Sequence, residues 1–394
     1  MTSADITGAR LPWDAADPYE FYQARRAEGS VVWDEAAQAW LILSYDAARQ
    51  VLGGTGWTSD PFANALAQAS SDAVSREFSR RSMLFADGAD HRRLRGSVRD
   101  VFTRSFIENL DSGVESLADD LIGHPPTGHE FDFMADIALP LPIAVVSAWL
   151  DLDAEAAHLL REVSPVIIRM LGTLADPAEM AAGATASARL MAQFLPTAAD
   201  RRVHPGDDLL SFLAGDPDLS LDEVVMTAIL IAVAGHETTA NLLGAAMVTL
   251  LTPDGDGTRI ADRIDAADPA VVTELLRLDA PVQSTVRTAT EPHELDGVEI
   301  AAGESTLVVI AAANRDPAVF EQPDRFRLDR TAPAPLSFGY GAHYCLGGAL
   351  AALEISIALP KILARQPVLH GAVRWRDTPA IRGPLVVPMA FGGP

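Results

Sequence analysis

The chain is poor in several things at once. Among 394 residues there is a single cysteine, Cys345, so no intrachain disulfide can form, and a reducing compartment is the expectation. Basic residues are outnumbered, 30 against 54 acidic, for a net charge of −24. Nucleic acid is thereby excluded as a partner, because phosphate binding needs a basic surface. No apolar run reaches the roughly twenty residues a membrane-spanning helix requires. The most membrane-like stretch, Ile137 to Leu150, is short and contains Pro140 and Pro142, so it reads as a buried helix entered through prolines. The first residues carry neither a basic n-region nor an apolar h-region, which points to a cytoplasmic protein. Aromatics are only 6% of the chain, and the ample apolar material, 48%, is aliphatic, enough for a large core.

Helical periodicity dominates what is present. The pattern predicts helices near 18–28, 44–53, 91–102, 107–122, 133–150, 155–173, 178–200, 221–251, 268–279 and 346–365. Ser220-Leu221-Asp222-Glu223 has the form of a capping box. Strand-like pieces are short: 31–33, 39–43, 286–288, 298–300 and 306–310, with Gly297 and Gly303 at turns. A mainly α protein with small β-sheets near its two ends follows. No linker divides it, so a single domain over 1–394 is expected.

Four features carry chemistry. Cys345 lies in Phe338-Gly339-Tyr340-Gly341-Ala342-His343-Tyr344-Cys345-Leu346-Gly347-Gly348, whose glycines permit tight turns and close approach to a flat ligand. A helix starting near Leu346 would aim its free N–H groups at the sulfur and lower the thiol pKa. That leaves two readings, a metal-binding thiolate and a packed structural cysteine. At the centre of the 221–251 helix, Ala234-Gly235-His236-Glu237-Thr238-Thr239 places glycine where it costs about 1 kcal/mol relative to alanine. The Thr238 hydroxyl can bond back to the Ala234 carbonyl and bend the helix; plain packing is the alternative. His236 has no second ligand at zinc-like spacing and reads as an ordinary helix residue. Glu274 and Arg277 stand three apart on one helical face. His91, Arg92, Arg93, Arg95, Arg99 and Arg104 form a basic island that fits anionic cofactor groups, an acidic partner or a solvated helix face.

Taken together these motifs resemble the cytochrome P450 family, from about residue 84 to 356 and most closely from Glu274 onward. The resemblance implies the P450 fold, with haem b sandwiched between a long central helix and the proximal loop, and Cys345 as the axial thiolate on iron. Phe338 would shield the sulfur, and Ala234 would lie against the macrocycle. His91, Arg95, Arg287 and His343 match positions that hold the propionates, charges that cannot be buried unpaired. Thr238 would steady the reduced dioxygen and an ordered water, while Glu237 helps relay protons from solvent. Glu274 and Arg277 match the Glu-x-x-Arg brace, with Arg325 as a third member. Ala352 stands where the family often has an arginine, and Pro335 where a histidine is frequent.

The implied activity is that of a bacterial monooxygenase of secondary metabolism, without nucleic-acid or membrane partners. Two electrons from NAD(P)H would arrive through a reductase and an acidic ferredoxin docking on Arg92, Arg93, Arg99 and Arg104. The product would be a hydroxylated or epoxidised organic compound. A peroxide-dependent haem enzyme and a haem-binding sensor are the alternatives. Residues 55–85 and 155–185, with Leu230, Ala234, Val282 and Gln283, would line a roomy aliphatic pocket open to polyketide, terpenoid, fatty acyl or carrier-tethered peptide substrates.

Overall fold

In the computed structural model the described residues are 17–64, 81–172, 177–253, 255, 257–377 and 381–392. The main helices are α1 (Tyr19–Glu28), α2 (Tyr45–Gly53), α3 (Gly88–Gly96), α4 (Asp111–Gly123), α5 (Pro140–Trp149), α6 (Ala154–Gly172), α7 (Pro177–Val203), α8 (Leu221–Leu251), α9 (Pro269–Leu278) and α10 (Gly348–Ala364). Most match the periodicity to within a few residues. Where 91–102 reads as one helix, α3 ends at Gly96 and a separate short turn spans Arg99–Phe102.

α8 organises the rest. Its start is a complete capping box: Ser220 Oγ accepts from Glu223 N at 3.2 Å and Glu223 Oε2 from Ser220 N at 2.9 Å. Its apolar surface packs against α5, α6, α7 and α10 at the heart of the main core. By length and composition α8 would pass for a membrane span, which the shorter 137–150 stretch does not. Its most apolar window is 72% buried, as befits a core helix. Residues 134–150 divide into a π-type turn, Met134–Ala138, and α5, whose first residue is a proline with no N–H to leave unpaired.

The strands are β1 (Val31–Asp34), β2 (Ala39–Ile42), β3 (Trp57–Thr58), β4 (Glu130–Asp132), β5 (Thr285–Ala289), β6 (His293–Leu295), β7 (Val298–Ile300), β8 (Ser305–Val308), β9 (Pro367–Leu369), β10 (Arg374–Trp375), β11 (Pro384–Val386) and β12 (Pro388–Phe391). The largest sheet, in order β1-β2-β8-β5-β3, joins the two ends of the chain: β2 runs parallel to β8, pairing Trp40 with Thr306. β8 ends at Val308 rather than 310, because Ile310–Ala313 begins a helical turn. Asp296 and Gly297, both at positive φ, close the β6–β7 hairpin. α9, β5 and the irregular segment 314–347 then deliver the cysteine loop to the start of α10.

Candidate functional site

The cysteine loop is held by backbone geometry. Cys345 N donates to the Phe338 carbonyl at 2.7 Å, closing a tight loop across Gly339 (φ 72°) and Gly341 (φ 76°). At Gly341 the close approach that demands glycine is to the end of α2. A Cβ there would lie 2.5 Å from the Leu52 carbonyl oxygen. The Phe338 ring packs on Gly348, whose added Cβ would meet it at 3.3 Å.

α10 begins at Gly348, two residues later than expected, and the N–H groups of Gly347 and Gly348 do point at the sulfur. The expected lowering of the thiol pKa does not result. Burial raises it and outweighs the two N–H groups and Arg95. Yet Cys345 is open to solvent. The sulfur is thus reachable, yet its surroundings disfavour a lone thiolate, which a positive partner such as a metal ion would stabilise.

Beside it stands an excess of positive charge. Arg95 Nη2 donates to the Tyr344 carbonyl at 2.6 Å, and His91 stacks on His343 with ring centroids 4.1 Å apart. His91 Nε2 is buried without a hydrogen-bond partner among the described residues, and its pKa is pushed down to about 4 by burial, His343 and Arg95. Arg287 is 8% exposed and, among the described residues, bonds only to Thr285 Oγ1 and the Val286 carbonyl, with no carboxylate in contact. Burial lowers the pKa of Arg287 and of Arg95. Groups so placed call for anions, and haem propionates fit.

Among the described residues the acid in the cluster is Asp87, which no sequence motif marks. Its Oδ1 lies 3.0 Å from His343 Nε2, while Thr58 Oγ1 and Ser59 N donate to Oδ2. Burial raises its pKa, but these three bonds win and hold it near about 2. Its place at the start of α3, four before His91, was the available signal.

In α8, Leu230, Ala234 and Thr238 form an accessible stripe at i, i+4 and i+8 on an otherwise buried helix. Thr238 Oγ1 donates to the Ala234 carbonyl at 2.8 Å as expected, yet the helix stays unbroken from Leu221 to Leu251. Glu237 points away from solvent, at 0% exposure. Its Oε2 lies 3.0 Å from Arg376 Nη1, a charge contact without hydrogen-bond alignment. Arg376, just after β10, gave no sequence signal. Val282 is half-buried and paired with Ile381. Gln283, expected in the pocket, instead accepts from Tyr22 Oη and donates to the Ala280 carbonyl in the core. Of the pocket segments named above, 65–80 and 173–176 lie outside the described residues.

Two further expectations change. Glu274 and Arg277 form a bidentate pair, 2.8 Å for each bond, and Arg277 also donates to the Asn314, Pro323 and Arg325 carbonyls. The third side chain is Arg330, whose Nε meets Glu274 Oε1 at 2.9 Å. Arg325 contributes only its carbonyl. Arg93 is not free for docking, since its Nη2 lies 2.5 Å from Glu223 Oε1 at the start of α8. Arg99 and Arg104 are exposed, each paired with a neighbouring acid.

Comparison with known proteins agrees with this geometry. A model of the family described as Cytochrome P450 matches residues 269–369. Cytochrome P450 monooxygenase PikC of Streptomyces venezuelae is 35% identical, over 96% of this chain and 92% of its own length. The 6-deoxyerythronolide B hydroxylase of Saccharopolyspora erythraea is 32% identical over 90% of this chain and 91% of that protein. Among solved structures, ligand-free CYP164A2 of Mycobacterium smegmatis has a TM-score of 0.85 at 31% identity, covering 95% of this chain and 96% of that one. P450BioI in complex with an acyl carrier protein ligated to hexadec-9Z-enoic acid has a TM-score of 0.85 at 29% identity, covering 96% and 99%.

Proposed function

Because the chain belongs to the cytochrome P450 family and is a monooxygenase of bacterial type, we propose that it is a single-domain, cytoplasmic haem b enzyme in which Cys345 would hold the iron. Haem, when bound, supplies the activation of dioxygen. The protein's own residues set the conditions for it. Gly347 and Gly348 donate to the sulfur and Phe338 packs on Gly348, while His91, Arg95, Arg287 and His343 would hold the propionates. Asp87 keeps His343 in place. On α8, the accessible Leu230–Ala234–Thr238 stripe would face the macrocycle and an organic substrate. Thr238 lies on that stripe with its hydroxyl proton on the Ala234 carbonyl, and Glu237, the next residue back on α8, is the acid that would supply protons. Electrons arrive from NAD(P)H through a ferredoxin and its reductase, and the substrate is hydroxylated or epoxidised in secondary metabolism.

The observation that carries this reading is the coincidence of the chain's single cysteine with buried polar groups that lack partners among the described residues: the Arg287 cation has no acid in contact, and His91 Nε2 has no hydrogen-bond partner. The test is optical. The reduced protein with carbon monoxide should show the thiolate-specific Soret band, and Cys345→Ser should lose it while retaining haem. Absence of that band from the parent protein would overturn the assignment.

A further inference from the structure

Asp87 stands at the N-cap of α3, where an aspartate ordinarily accepts from the helix's own free N–H groups, a bond worth about 1 kcal/mol. Its side chain makes no such bond. Both carboxylate oxygens are committed elsewhere: Oδ2 accepts from Thr58 Oγ1 and from Ser59 N at 2.9 Å, at the end of β3, and Oδ1 lies 3.0 Å from His343 Nε2 in the cysteine loop. A carboxylate only accepts, so His343 donates. The main chain of Asp87 grips a second histidine, because its carbonyl accepts from His91 N at 3.3 Å. The two imidazoles so held are the pair that stacks at 4.1 Å. His91 is 4% exposed, and among the described residues its Nε2 has no hydrogen-bond partner. A buried nitrogen cannot turn to solvent, so the set of the ring decides what it can serve.

We propose that Asp87 is a positioning residue for the cofactor: it fixes His343, against which the His91 ring lies, and so sets His91 Nε2 to donate to a haem propionate. The proposal rests on the chain being a haem enzyme. Asp87 acts through the two rings, which is why its carboxylate is spent on His343 and β3 and the cap of α3 is given up. The charges around His91 suit a neutral donor: burial first, then His343, Arg95 and Arg92, disfavour its imidazolium, while Asp87 favours it. Arg95 and Arg287 supply the positive charge, and His91 supplies direction.

The test measures how fast the haem-loaded protein gives up haem to apomyoglobin, together with the propionate bending bands of its resonance Raman spectrum; neither needs turnover. Asp87→Ser is the main variant, since serine caps a helix as well as aspartate does but is too short to reach His343. Haem transfer should quicken about tenfold and the propionate bands should shift. His91→Phe, which keeps a ring to stack and loses Nε2, should do the same. In the double variant the effects should not multiply, and the rate should match that of His91→Phe within about twofold. Asp87→Asn, whose carboxamide can still bond His343, should stay within about threefold of the parent. Thr58→Val breaks the bond to β3 and spares His343, so it should leave both readouts near the parent's. Effects that multiply, an Asp87→Ser protein like the parent, or a Thr58→Val protein as impaired as Asp87→Ser would each overturn the proposal while the haem assignment stands. A parent without the carbon monoxide band overturns both.

Discussion

Arg376 and Glu237 meet as a buried ion pair, 3.0 Å apart, although they lie on segments far apart in sequence: one in the middle of the central helix, the other just after a short C-terminal strand. Arg376 retains 13% side-chain exposure and Glu237 none. The acid that would supply protons is therefore held by a cation from the opposite end of the chain. Such a pair resists loss of one member more than loss of both.

Arg376→Leu should accordingly cost roughly 3–5 kcal/mol, because the carboxylate is left buried and unpaired. Adding Glu237→Gln should recover most of that loss. Denaturant unfolding of the two single variants and the double variant measures the coupling. Simple additivity would show that the contact holds no interaction energy.

Arg287 allows a prediction whose sign depends on haem. Its guanidinium is buried with no carboxylate in contact among the described residues, so Arg287→Met should leave the haem-free protein as stable or more stable. With haem present the same change removes a propionate partner. A lost charge-assisted hydrogen bond is worth about 1.5–3 kcal/mol, and haem transfer to a myoglobin acceptor should quicken about tenfold or more. A parallel fall in both measurements would indicate a packing role instead.

Much of this was legible in the chain because it is local. The periodicity of 221–251 and its capping box involve residues within a few turns of one another, and the helix forms with those bounds. The cysteine loop likewise depends on glycines two residues apart. What could not be read were contacts between distant segments. Nothing about Arg376 marks it as a partner for Glu237, and Arg330 rather than Arg325 reaches Glu274 because the intervening backbone turns. Gln283 was misplaced for a similar reason: Tyr22, from α1, draws its amide into the core. The thiol shift was misjudged because helix N–H groups are visible in sequence and depth of burial is not.

Glu354 gives a pH-dependent prediction. It lies in α10, 2% exposed, with Oε2 unpartnered among the described residues, and burial raises its pKa from 4.5 to about 8. Between those values the folded chain holds a proton that the unfolded chain has released. Stability must therefore fall as pH rises across that window. Glutamine copies the protonated shape without a titrating group. Glu354→Gln should be close to neutral near the lower end and stabilising by about 2–4 kcal/mol near the upper end, the size expected for a shift of this order. Guanidinium unfolding of parent and variant at both ends of the window decides it. The difference must grow with pH; a constant offset would mean that the carboxyl finds a partner or solvent and does not titrate as a buried, isolated group.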